Sequence, residues 1–158
     1  MMTNTVYDVI DTGVHYLVNM YDSWKVEDIL DQDSDVFPNN IHWQFGHVLT
    51  VFENALSKGN QHVVDLERYR QLFAPGSKPA DWPQIEGGVP SIDEILKDIQ
   101  TIPKRARQLT DEQLAQTLDQ PIAGFSTVEG LLMLNAIHIP LHAGKIEEMA
   151  RIIKQQYF

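Results

Sequence analysis

Residues 125–158, FSTVEGLLMLNAIHIPLHAGKIEEMARIIKQQYF, decide how this chain is read. Ser126 followed three residues later by Glu129 is a capping box, which predicts a helix start just ahead of an apolar run. From there Leu131, Asn135, His138, His142, Ile146, Met149 and Ile153 recur at steps of three and four. That spacing places them on one stripe of a helix, the stripe that faces a core. Two of the seven are histidines one turn apart. Buried imidazoles need partners, and an i, i+4 pair on one helix face can grip a single metal ion. A third ligand from elsewhere in the chain would complete such a site.

Working back towards the N-terminus, Thr110 with Gln113 repeats the capping pattern and opens a short helical segment, DEQLAQTL, which ends at Pro121 and Gly124. Ser91 with Glu94 caps a third long helix whose apolar face is Ile92, Ile95, Leu96, Ile99 and Ile102, with Pro103 expected to kink or interrupt it. Residues 59–90 hold four of the eight prolines and the glycines at 76, 87 and 88, so their second half cannot be one helix or strand. Asn39 and Asn40 offer N-caps for a second helix, IHWQFGHVLTVFENAL, running to about residue 57. It is apolar around much of its circumference, and Gly46 should let another helix backbone approach. Residues 5 to about 24 form a first helix, and 25–38, with the acidic run DQDSD, a solvated connection with room for one helical turn. No segment alternates with period two. The expectation is an all-α protein: a four-helix bundle, one domain over residues 1–158, with a long crossover between the second and third helices.

Composition narrows the function. Twelve Lys and Arg against 22 Asp and Glu give a net charge of −10, and no basic stripe interrupts it, so a nucleic-acid partner is not expected. There is no cysteine, which excludes disulfides, thiolate metal sites and a cysteine nucleophile. The N-terminal MMTNTVYDVIDTG lacks the basic start and apolar run of a signal peptide, and no apolar run is long enough to span a membrane. A cytoplasmic protein is the expectation.

Three histidines stand out for chemistry: His47 on the second helix, and His138 and His142 on the last. Neutral imidazole suits zinc, nickel, copper or iron(II), and three protein ligands leave a position open, the mark of a catalytic rather than a structural site. Ordinary core histidines bonded to backbone carbonyls would show the same spacing, and Pro140 between the last two could either tune a ligand angle or spoil a two-histidine grip. His42 points about 140° away from His47 on a helix and reads as a capping or surface residue, and His15 as a surface one. Glu53, Glu147 and Glu148 read as solvated charges more readily than as carboxylates orienting an imidazole. Trp43, Phe45 and Phe52 read as core.

WQFGHVLTVFE, with the preceding NNIH, resembles the second-helix motif of the DinB/YfiT-like superfamily, in which a histidine follows a glycine and precedes an apolar pair. HIPLHAGKIEEMARI resembles that superfamily's final-helix signature. The resemblance implies a four-helix bundle holding a divalent metal (zinc, nickel or iron) on three histidines, which match His47, His138 and His142, and a homodimer packed through helix faces. It also implies a metal-dependent enzyme: a thiol-dependent S-transferase joining a small electrophile to a low-molecular-weight thiol such as bacillithiol or mycothiol. The absence of cysteine agrees, since the nucleophile must then come from outside the chain. A metal-dependent hydrolase, and a non-catalytic metal-binding protein of the stress response, are the alternatives. The superfamily's association with DNA damage does not offset the charge argument against nucleic acid.

Overall fold

Side chains just ahead of the apolar runs at 41, 92 and 128 set where those helices begin. The computed structural model describes residues 4–157; residues 1–3, the start of the stretch read against a signal peptide, and Phe158 lie outside them. In chain order, α1 (Asn4–Ser23) leads through a 3-10 turn (Val26–Ile29) to α2 (Ile41–Leu56). The crossover carries α3 (Leu66–Phe73) and a 3-10 stretch (Pro79–Gln84) before α4 (Ile92–Ala106). The chain then runs through α5 (Asp111–Leu114) and a hairpin of β1 (Thr117–Ile122) and β2 (Phe125–Thr127) into α6 (Val128–Tyr157). Asn40 opens α2 by accepting from the Trp43 N–H at 2.8 Å. The predicted capping boxes at Ser91/Glu94 and Thr110/Gln113 both form, each with its two reciprocal bonds.

The long helices pack reciprocally: α1 lies against α6 and α4, and α2 lies against the same two. Between them run Ile10 and Leu17 of α1, Phe45, Leu49 and Phe52 of α2, Ile95, Ile99 and Ile102 of α4, and Ile139, Ile146, Met149 and Ile153 of α6, all fully buried. Each such side chain contributes about 1.5–3 kcal/mol on leaving water, so these apolar stripes supply most of the drive to pack the helices. Pro103 and Pro140 do not break their helices; α4 and α6 run through them. Among the described residues no helix is long and apolar enough to cross a membrane.

The molecule is predominantly helical, and the small antiparallel sheet corrects the expectation of helices alone. All but one position of β1 is exposed, so no alternation of apolar and polar residues marks it in the sequence. Ala123 (φ 49°) and Gly124 (φ 86°) make the two-residue turn between the paired Ile122 and Phe125. Positive φ at both central positions is the hairpin geometry that matches strand twist. The hairpin also displaces the start of the last helix. Ser126 lies inside β2, and Thr127, the strand's last residue and the neighbour of α6, takes the cap by accepting from the Gly130 N–H at 3.1 Å, in place of the predicted box of Ser126 and Glu129.

Three further expectations change once the chain is packed. A Cβ on Gly46 would come within 2.4 Å of the Phe73 ring, so the missing side chain admits that ring and not another helix's backbone. His42 is neither a cap nor a surface residue. It is 7% exposed, with Nδ1 2.9 Å from Asp31 Oδ1 and Nε2 3.0 Å from the Pro90 carbonyl, and so ties the loop before α2 and the end of the crossover before α4 to the start of α2. Glu53 is not solvated: it is fully buried, 2.6 Å from Arg105, and accepts from the Val63 N–H at 2.9 Å. Arg105 in turn donates to the Gln61 carbonyl at 2.9 Å, so this pair fastens the start of the crossover to α2 and α4. Glu147 and Glu148 do behave as surface charges, each pairing with Arg151 along the helix, while His15 is exposed.

Candidate metal centre

The direct packing of α2 on α6 brings His47 to the turn of α6 that carries His138 and His142. One ligand nitrogen from each of the three lies within 4.8 Å of the other two. Ring centroids are 5.0 Å apart for His47 and His138, 4.8 Å for His47 and His142, and 4.3 Å for His138 and His142. His47 Nε2 and His138 Nε2 are 3.2 Å apart. Two nitrogens each about 2.05 Å from a tetrahedral ion stand about 3.3 Å from one another, so this pair is spaced as two ligands of one ion. Among the described residues no Asp, Glu or further His joins the cluster.

What surrounds the rings selects their tautomers. His47 is 5% exposed, and its Nδ1 lies 2.8 Å from the Phe73 carbonyl. A carbonyl only accepts, so Nδ1 carries the proton and Nε2 keeps its lone pair. Trp43 stacks on the same ring at 4.5 Å with an interplanar angle of 10°, which fixes its plane. His142 Nδ1 is 2.6 Å from Gln44 Oε1, and again the outer nitrogen donates while Nε2 is left free. Gln44 is 1% exposed. Neutral imidazoles with their outer N–H groups engaged are what a divalent ion requires, so the residues present fit the metal.

Neither outer partner was among the candidates drawn from the sequence. Gln44 carried a usable signal, since it precedes His47 by three residues and so shares its face of α2. The Phe73 carbonyl carried none, because it reaches His47 only when α3 folds back over Gly46. A cavity of about 590 Å³ lies beside His42, walled by the 31–40 loop and by Lys78, Trp82 and Val89 of the crossing segment. None of the three histidines lines it.

Burial holds all three imidazoles neutral in the absence of metal. It lowers the His47 pKa, while burial together with its histidine neighbours pushes His138 down to about 4 and His142 to about 3. A histidine whose folded pKa lies below its unfolded value of about 6.5 binds protons more readily in the unfolded chain. Its contribution to stability is therefore complete above pH 6.5 and is lost as pH falls from there towards 3. Chelator-treated protein should show a lower thermal midpoint at pH 5 than at pH 7. A variant with both His138→Ala and His142→Ala should lose less over that interval, and equal losses in the two proteins would contradict the assignment.

The family model of the DinB superfamily matches residues 16–146 of this chain, a span that includes all three histidines. No curated protein matches the chain.

Proposed function

The chain belongs to the DinB superfamily, and from that premise we propose a metal-dependent S-transferase that joins a low-molecular-weight thiol to a small electrophile. One observation carries the reading: three buried or half-buried imidazoles converge, two of them with outer N–H groups bonded to protein acceptors. In this reading His47, His138 and His142 are the ligands of a zinc, nickel or iron ion, and the three leave a coordination position for the cosubstrate. The bound ion supplies Lewis acidity that favours the thiolate form of a coordinated thiol. Phe73 and Gln44 hold two of the rings in the ligating tautomer, and Trp43 covers one face of His47 against water. With no cysteine in the chain, the attacking sulfur comes from the cosubstrate. The S–C bond forms as the electrophile's leaving group departs with its electron pair, and the thiol proton passes to solvent.

The frame inferred for this site is a four-helix bundle in a single domain, working in the cytoplasm as a homodimer. The reciprocal packing of α1, α2, α4 and α6 supports the bundle. The test is conjugation of chlorodinitrobenzene to a panel of low-molecular-weight thiols, by protein loaded in turn with zinc, nickel and iron(II). Loss of thiol should run faster than with chelated protein. Turnover of ester substrates without any thiol would instead favour a hydrolase. No turnover in either assay would leave a metal-binding protein without catalysis.

A further inference from the structure

Of the three histidines, His138 alone has an outer nitrogen with no acceptor: its Nδ1 is buried and makes no hydrogen bond. One turn earlier on the same face of α6, Asn135 has the complementary defect. Its side chain is 1% exposed, and its Oδ1 is a buried acceptor with no donor. The Asn135 carboxamide is anchored at its other edge, where Nδ2 donates to the Leu131 carbonyl at 2.8 Å. Since Leu131 lies on the N-terminal side, the oxygen occupies the opposite edge of the amide. Helical side chains lean towards the N-terminus and cover the turn before their own, so the His138 ring leans over the turn that carries Asn135. A buried amide oxygen and a buried imidazole N–H, each unsatisfied and one turn apart, are a matched pair.

We propose that Asn135 is the positioning residue of His138, with its Oδ1 accepting from His138 Nδ1–H either after a small side-chain rotation or through one buried water. The inference rests on the metal-site reading above. It gives each ligand its own outer acceptor: the Phe73 carbonyl for His47, Gln44 for His142 and Asn135 for His138. It also accounts for a polar side chain in the middle of an apolar stripe, where a leucine would bury without leaving an unpaired acceptor.

The test compares zinc affinity, by competition with a chromophoric chelator, for the parent, Asn135→Leu, Asn135→Asp and, as a reference, Gln44→Leu. Loss of an outer partner weakens metal binding by about 10–100-fold. Asn135→Leu should fall in that range alongside Gln44→Leu, while its metal-free thermal midpoint stays at or above that of the parent. Asn135→Asp keeps an acceptor towards His138 but gives up the donor to Leu131, and should still bind zinc more tightly than Asn135→Leu. A readout independent of folding differences comes from the ring-proton NMR signal of His138 Nδ1–H in the zinc-loaded protein. It should exchange slowly in the parent and move downfield in Asn135→Asp, because a carboxylate accepts more strongly. Zinc binding by Asn135→Leu equal to that of the parent, or a signal that does not move in Asn135→Asp, would overturn the inference alone. A parent that binds no zinc would overturn the metal-site reading beneath it.

Discussion

Protein with both His138→Ala and His142→Ala should retain no metal, whereas the parent, purified without chelator or a histidine tag, should carry it at near-stoichiometric level. These two side chains are two of the three nitrogens that converge within 4.8 Å, and His47 by itself cannot hold an ion against water. Structural zinc sites bind with about 10–16 kcal/mol over four ligands, so losing two costs about 5 kcal/mol or more, and at about 1.4 kcal/mol per factor of ten the affinity should drop by at least about 10³-fold. Plasma mass spectrometry on both proteins, before and after reloading with zinc, nickel and iron(II), reads the result. Absence of metal in the parent after all three reloadings would reduce the cluster to packing. The two substitutions are tolerable for the fold because both rings are only half-buried.

The second large effect lies away from the histidines. Glu53→Gln should destabilise the protein by about 3–5 kcal/mol, because it leaves the Arg105 guanidinium buried without its counter-charge. Substituting both members, Glu53→Leu with Arg105→Met, should recover much of that loss, since a buried pair often gives little net stability over a well-packed apolar replacement. Urea unfolding midpoints at fixed slope decide it, and a cost below about 1 kcal/mol for Glu53→Gln would show that solvent reaches the pair. The consequence reaches the candidate centre through the chain. Glu53 and Arg105 hold residues 61–63, and that anchored segment leads into α3, whose last residue supplies the carbonyl against His47.

The hairpin and the last helix show where reading along the chain stops working. A capping box, an apolar stripe and a proline-rich crossover are interactions within four residues or changes of composition, so the beginnings of α2, α4 and α5 and the core faces of the long helices could be read directly. At the start of α6 two adjacent hydroxyl residues, Ser126 and Thr127, compete for the same role. Both lie in β2, and because the strand runs to Thr127 and the helix starts only at Val128, the cap falls to Thr127. That hairpin left no trace in the hydrophobic pattern because β1 covers no core.

The sequence by itself determined the predominantly helical class, the apolar faces and the three histidines, because each depends on spacings of three and four residues or on residue type. Tertiary structure alone decided how those histidines are equipped. His142 meets Gln44 across 98 positions of sequence, and His47 meets the Phe73 carbonyl across 26. It also turned His42 from an apparent surface residue into a strut between two loops, and Glu53 from a charge in water into a buried ion pair. Local periodicity places a side chain on a face of its own helix. Which group waits opposite depends on how the helices and the crossover close on one another, and no local spacing encodes that.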